Sequence, residues 1–102
     1  MTKAEKLFHK IAAELPHAKE GKMFGAFCVK GLNGKVAAMF WKDSMIFKLE
    51  GKAEQEALKL EGAHIGVHIY DPSKLMTGWV QIPFQHFDTW KKYTRAALHN
   101  LK

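Results

Sequence analysis

Between residues 23 and 49 three strand-length apolar segments follow one another, separated only by short turn signals. They are Met23–Val29, Val36–Trp41 and Met45–Leu49. Val36–Trp41 is apolar on both faces, which is typical of a central strand. Because short turn-forming sequences between such segments favour hairpins, the pattern predicts a three-stranded antiparallel meander.

Residues that favour turns lie between these segments. Asn33-Gly34 connects the first two, and both residue types accept the positive φ angles of a tight hairpin turn. Asp43-Ser44 predicts the second turn. Gly25 differs, because it lies within the first apolar segment. We interpret it as a bulge, or as a close approach of the backbone to the first helix.

Residues 2–16 carry the start, the apolar stripe and the end of a helix. Thr2 and Glu5 fit a capping box, in which each side chain satisfies a backbone N–H of the other residue. Pro16 ends the helix, because the residue before a proline is pushed out of the α region. The apolar stripe consists of Ala4, Leu7, Phe8, Ile11 and Leu15.

A second, shorter helix is predicted after the meander. Ala53, Ala57 and Leu60 share one side of it, and Gly62 fits the C′ position that ends it. Residues 65–69 then alternate apolar and small or polar residues with the period of a strand.

The last part of the chain predicts one more strand and one more helix. Asp71-Pro72-Ser73 marks a turn, and a loop through Lys74 leads to the strand Trp79–Ile82, which Pro83 closes. Asp88 is expected to be the N-cap of the final helix. The residues of this helix expected to face the core are Trp90, Thr94, Ala97, Leu98 and Leu101.

The order of elements, α-β-β-β-α-β-β-α, predicts an α+β fold of two layers. An antiparallel sheet of about five strands would be covered by helices on one side. A single domain is expected over residues 1–102, since the chain is too short for two ordinary domains. With 47% hydrophobic and 25% charged residues, the composition is that of a folded globular protein.

Composition also bears on location. No apolar run approaches the roughly 20 residues that cross a bilayer, and the N-terminus is charged and amphipathic, unlike a secretory signal. The single cysteine, Cys28, excludes an internal disulfide and suits a reducing compartment. We therefore expect a cytoplasmic protein with no membrane role, and a Cys28 that behaves as a core residue.

The chain is basic, with 16 Lys and Arg against 10 Asp and Glu, a formal net charge of +6. This balance favours encounter with nucleic acid, but only Arg95 carries the guanidinium suited to bidentate recognition, and the lysines are dispersed. An ordinary solvated surface and an anion-binding face both remain open. The candidate anion contacts are Lys19, Lys22, Lys30, Lys91, Lys92 and Arg95.

Catalytic and metal-binding patterns are weak. His64 and His68 are four residues apart, but on a strand this places them roughly 13 Å from each other at about 3.3 Å per residue, too far for one ion without other ligands. Cys28 lies in an apolar strand, and Ser44 and Ser73 are typical turn residues. We expect no catalytic residue, metal or cofactor; a small-ligand or metal-binding protein is the third hypothesis.

Aromatic residues on the predicted strands suggest a surface as well as a core. Phe24, Phe27, Phe40 and Phe47 are expected to fill the core. Trp41 and Trp79 are the candidate exceptions, which would project from the uncovered sheet face. Exposed aromatic side chains on such a face indicate a protein partner or a homodimer.

The chain contains the short motifs Lys22-Met23-Phe24-Gly25, Ile46-Phe47-Lys48, Gly62-Ala63 and Val80-Gln81-Ile82-Pro83. Together they resemble the motifs of the TfoX N-terminal domain family of bacterial competence and transcription regulators. Within them the positions carrying the resemblance are Lys22, Met23, Phe24, Gly25, Phe47, Lys48, Gly62, Val80 and Pro83. Ala26 and Trp79 depart from the family's commoner glycine and tyrosine.

The resemblance implies a stand-alone, cytoplasmic α+β domain with a secretion-chaperone-like layout. It implies a regulatory domain that acts through protein contacts and is not an enzyme. The leading hypothesis is therefore an interaction domain, and the alternative is a nucleic-acid-binding module that uses the dispersed basic surface.

Overall fold

The computed structural model describes residues 2–23, 25–68 and 71–100. Within these residues three α-helices and six strands form an α+β fold, which confirms the predicted class. The elements are α1 (Lys3–Glu14), β1 (Lys19–Met23), β2 (Ala26–Lys30), β3 (Val36–Trp41), β4 (Ser44–Lys48), α2 (Gly51–Leu58), β5 (His64–His68), β6 (Asp71–Pro83), a 3-10 helix (Phe84–Thr89) and α3 (Trp90–His99). The sheet is antiparallel throughout, in the order β1-β2-β3-β4-β6-β5.

Helix α1 begins and ends where the sequence predicts. The backbone N–H of Glu5 donates to the Thr2 hydroxyl at 3.1 Å, which confirms the N-cap. The helix ends at Glu14, and Leu15 ahead of Pro16 is extended. Of the predicted stripe, Leu7 is half-buried and the other four residues are buried.

The first apolar segment begins at Met23, the last residue of β1, and its residues Ala26–Val29 lie in β2. The polar strand β1 was not predicted, so the predicted meander of three strands becomes one of four. Gly25 lies in the turn between β1 and β2, so its interpretation as a bulge or close approach is wrong. Its φ is +80°, and a Cβ there would have no atom within 4 Å. The glycine is therefore needed for backbone conformation and not for space.

The second predicted turn, Asp43-Ser44, lies one residue earlier in the structure, because Ser44 is already the first residue of β4. Lys42 and Asp43, between β3 and β4, have φ of 48° and 59°, as in a type I′ turn. The Thr2 hydroxyl donates to the Asp43 carboxylate at 2.8 Å, which ties the start of α1 to this turn. At Asn33-Gly34 only Gly34 has a positive φ. The two residues belong to a four-residue turn, Gly31–Gly34, in which the Gly34 N–H donates a hydrogen bond to the Gly31 carbonyl.

Three boundaries in the second half differ from prediction. Helix α2 ends at Leu58, so Gly62 (φ +83°) lies in the following turn and not at C′. Strand β6 begins at Asp71, where a turn and loop were expected. Helix α3 starts at Trp90 after a 3-10 turn, and Thr89, not Asp88, is its N-cap.

The main core lies between one face of the sheet and the helices. Trp90, Thr94 and Ala97 face it as predicted, together with Tyr93; Leu98 is half-buried. Leu101 falls outside the described residues. We call the buried apolar residues of this core the helix-side core; they are Ala4, Phe8, Ile11, Ala12, Leu15, Val29, Ala37, Ala38, Met45, Phe47, Leu49, Ala57, Val80, Ile82, Trp90, Tyr93 and Ala97.

No helix within the described ranges is long and apolar enough to cross a membrane.

Candidate functional site

A second apolar cluster lies on the sheet face opposite the helices. Cys28, Met39 and Ile46 are buried at its centre. The partly buried side chains packed around them are Met23, Val36, Trp41, Met76 and Trp79. All eight residues belong to strands and none to a helix. We call these eight residues the open-face cluster.

Strand register brings these side chains together. Cys28 is opposite Met39, and Met39 is opposite Ile46, so the three buried residues form a row across β2, β3 and β4. The register shifts where Val29 pairs with Ala38 but Lys30 pairs with Val36, which leaves Ala37 as the extra residue of a bulge. The bulge places both Val36 and Met39 on the open face, although simple alternation separates them.

The outer part of β5 and β6 reaches onto this face. A Cβ at Gly66 would lie 2.9 Å from Cγ2 of Ile46 and 3.3 Å from Cβ of Trp79, although β6 separates β5 from β4. Opposite Gly66, Met76 packs against the cluster. Gly78, with φ +89°, lies between Met76 and Trp79, where the β5–β6 register shifts. The β5–β6 hairpin therefore packs against Ile46 and forms one side of the open-face cluster.

Lysines surround the cluster on the remaining sides. Lys19 and Lys30 are paired across β1 and β2, and Lys48 is paired with Trp79 across β4 and β6. The Nζ atom of Lys42 lies 5.6 Å from the centre of the Trp41 ring. A Cβ at Gly21 would meet Lys30 Cε at 3.4 Å and Cys28 Sγ at 3.7 Å, so the Lys30 stem lies beside the thiol.

The open face has a single sign of charge along its first four strands. Glu20 is the only acidic residue of β1–β4, and its carboxylate lies 2.7 Å from Nδ1 of His9, on the helix side. Trp41 and Trp79 lie on the open face, where they are half-buried and not fully exposed. The result is an apolar centre, two partly exposed indoles and a lysine margin.

Burial determines the chemistry of Cys28. Desolvation raises the pKa of the thiol above its ordinary value, and the nearby Lys30 charge offsets only part of this rise. A thiol held in the protonated form is a poor nucleophile, so the residue acts as an apolar part of the cluster, in line with the prediction of a core cysteine.

We expect native Cys28 to react with a thiol reagent at least about a hundredfold more slowly than in the unfolded chain. Absorbance after adding an aromatic disulfide, with and without guanidinium, measures the two reaction rates, and Cys28→Ser is the blank. Equal rates in the folded and unfolded states would show that the thiol is accessible.

The raised pKa of Cys28 also affects stability. The protonated thiol favours folding below the pKa of the unfolded thiol, and this contribution is lost as pH rises through the folded pKa.

The candidate anion contacts do not form one patch. Lys19 and Lys30 lie together on the open face. Lys22 lies 5.2 Å from the centre of the Phe27 ring, on the helix side. On α3, Lys91 and Lys92 are each 3.4 Å from a carboxylate oxygen, of Glu14 and Glu56 respectively.

Arg95 is exposed at a different place. It lines a cavity of about 310 Å³ between the end of α1 and α3, whose other lining residues are Leu15, Pro16, His17, Leu98 and His99. This cavity contains no residue of the open-face cluster.

The histidine pair lies on β5, the strand that the sequence predicts. Nδ1 of His64 is 2.8 Å from the carbonyl oxygen of Ile65. The described residues contain no group of three or more His, Cys, Asp or Glu side chains that is suited to hold a metal ion.

The motif residues have structural positions. Phe47 and Val80 are buried in the helix-side core, and Pro83 ends β6. Lys48 is exposed on the open face, and Lys22 and Met23 end β1. Phe24 lies outside the described residues.

Sequence reasoning missed most of the open-face cluster. It identified Trp41 and Trp79 but not the buried Met39, the partly buried Met76 or the marginal lysines Lys42 and Lys48 as parts of this face. The alternation of Ile46 with Lys48 on β4 was an available signal, because residues two apart on a strand share a face.

No family model, curated protein or solved structure matches this chain. The resemblance to the TfoX N-terminal domain family therefore stays a prediction based on its short sequence motifs.

Proposed function

We propose that this chain is a non-catalytic interaction domain whose open sheet face binds a protein partner. The partner's contact surface would be apolar and flanked by acidic side chains. The observation that carries this proposal is the open-face cluster itself: an apolar patch with two half-buried tryptophans and a margin of lysines.

The chemistry of the face supports a binding role. Partly exposed tryptophans such as Trp41 and Trp79, which flank the buried centre, often supply much of the binding energy of protein interfaces, because they bury a large apolar area at little entropic cost. The marginal charges Lys19, Lys30, Lys42 and Lys48 would accelerate encounter with an acidic partner and orient it. The thiol at the centre is buried and protonated, so it supports packing and not catalysis.

The resemblance to the TfoX N-terminal domain family extends this proposal. A regulatory domain of that kind would act in the cytoplasm, through contacts with proteins of the transcription machinery. A free, buried cysteine is compatible with a reducing compartment.

Single-stranded nucleic acid is the second candidate, favoured by the placement of a lysine beside each tryptophan. Lys42 lies against Trp41, and Lys48 is opposite Trp79. Bases stack on aromatic side chains while lysines contact phosphates. This function requires binding that weakens steeply with salt, by about 0.7 log units per log unit of salt for each contacted phosphate.

The test begins with a photo-reactive side chain at position 48 and, as a matched control, at the exposed helix-side position Lys10. A protein cross-linked only from position 48 is purified and titrated with the unmodified chain. We expect Trp79→Ala to weaken binding by about thirtyfold, as for an interface anchor worth about 2 kcal/mol. Lys48→Glu should mainly slow association, and Lys10→Glu should change neither quantity.

Circular dichroism identifies variants that fail to fold, and Trp41→Ala provides a second anchor variant. A partner that binds Trp79→Ala, Trp41→Ala and wild type equally tightly would contradict the assignment of the open face. Cross-linking to single-stranded nucleic acid, with binding that weakens steeply as salt rises, would favour the second candidate.

A further inference from the structure

Strand β1 is an unpaired edge of the sheet. It pairs with β2 on one side and has no strand on the other. In the described part of the chain its only backbone pairing is this ladder with β2. Its register with β2 is continuous from Lys19 to Met23, and the strand contains no proline. A regular edge of this kind is a template for another strand.

The charges of β1 are complementary to those of a second copy of the same strand. In an antiparallel pair centred on Gly21, Glu20 of each copy is opposite Lys22 of the other, so two opposite-charge pairs form. Centring the pair on Glu20 instead would oppose two carboxylates, and centring it on Lys22 would oppose two ammonium groups. The strand is thus self-complementary in the Gly21-centred register.

The existing contacts leave these side chains available. Lys19, Glu20 and Lys22 are exposed, although Glu20 contacts His9 and Lys22 lies against Phe27. Glu20 and Lys22 are two apart and lie on the helix side, so opposed copies meet on the same face. Gly21 at the centre has no side chain to obstruct close approach.

We propose that two copies of this chain associate through β1, antiparallel about a two-fold axis at Gly21. The two sheets then form one continuous sheet, with both open faces on the same side and both helix layers on the other. The paired strands are short, so the dimer dissociates on dilution. Its effect is to place two open-face clusters side by side, and it does not depend on what those clusters bind.

Charge exchange tests the proposal. Sedimentation velocity of the wild-type chain over a wide concentration range at low salt should show a monomer–dimer equilibrium. Glu20→Lys or Lys22→Glu alone creates two like-charge pairs, and each should weaken dimerisation by about tenfold or more. The double variant Glu20→Lys/Lys22→Glu restores opposite charges at both pairs and should restore dimerisation.

Control variants distinguish dimerisation at the β1 edge from association through another surface of the chain. His9→Ala removes the His9–Glu20 contact but keeps the β1 charges, so it should leave dimerisation unchanged. Trp79→Ala should also leave it unchanged, whether or not the open face binds a partner. In wild type, amide exchange of β1 should slow as protein concentration rises. A chain that stays monomeric, a double variant that does not recover, or a dimer disrupted by Trp79→Ala would overturn the proposal.

Discussion

Phe8→Ala is expected to remove about 3–5 kcal/mol of folding free energy, a large fraction of the total stability of a small domain. Phe8 is fully buried on α1, and its ring centre lies 5.7 Å from that of Phe40 and 6.2 Å from that of Phe27. It therefore joins the helix to two strands at once. Alanine would leave a cavity that the surrounding sheet cannot close.

Denaturant unfolding followed by circular dichroism measures this loss. Leu32→Ala is a suitable control, because Leu32 is 65% exposed in the β2–β3 turn and its truncation should change stability by less than about 0.5 kcal/mol. A Phe8→Ala variant as stable as Leu32→Ala would contradict the packing of α1 against the sheet.

The parts of the fold predicted correctly are those with strong local signals. Thr2 and Pro16 bound α1 through effects that need no tertiary contact, a cap and a steric restriction. Val36–Trp41 is recovered as β3 because a central strand is apolar on both faces. These elements define the two-layer arrangement.

The missed elements have tertiary causes. Strand β1 is polar because an edge strand is partly solvated, so its sequence resembles a loop. Gly25 is the only turn signal in an otherwise apolar run, and a bulge fits the same signal equally well. The start of β6 at Asp71 depends on pairing with β5, which turn-forming residues do not reveal.

The candidate site could be predicted only in part for the same reason. Two tryptophans on strands indicate an exposed face; both lie on the sheet face opposite the helices, where they are half-buried. The extra residue Ala37 changes which side chains share that face, and strand alternation alone cannot reveal it. Met76 reaches the cluster because β6 pairs with β4, and this contact joins residues that are far apart in the sequence.

Gly66 is the position at which the hairpin contacts the open-face cluster. Gly66→Ala is expected to lower stability by about 1–3 kcal/mol, because the new Cβ would lie 2.9 Å from Cγ2 of the fully buried Ile46. Gly66 does not have a positive φ, so the cost is steric and not conformational. To relieve this steric contact, the β5–β6 hairpin must move away from Ile46, which would expose Met76 and Trp79 to water.

Gly21→Ala is the matched control, since the atoms nearest its Cβ would be those of the flexible Lys30 side chain, at 3.4 Å, and the Cys28 sulfur, at an ordinary contact distance of 3.7 Å. At concentrations where the chain is monomeric, it should change stability by less than about 0.5 kcal/mol. Tryptophan fluorescence should shift to longer wavelength in Gly66→Ala and not in Gly21→Ala, because Trp79 gains contact with water. If the two variants were equally stable and had unchanged spectra, the hairpin would not pack tightly against Ile46. If the red shift of Gly66→Ala is accompanied by weaker partner binding, the hairpin also shapes the binding surface.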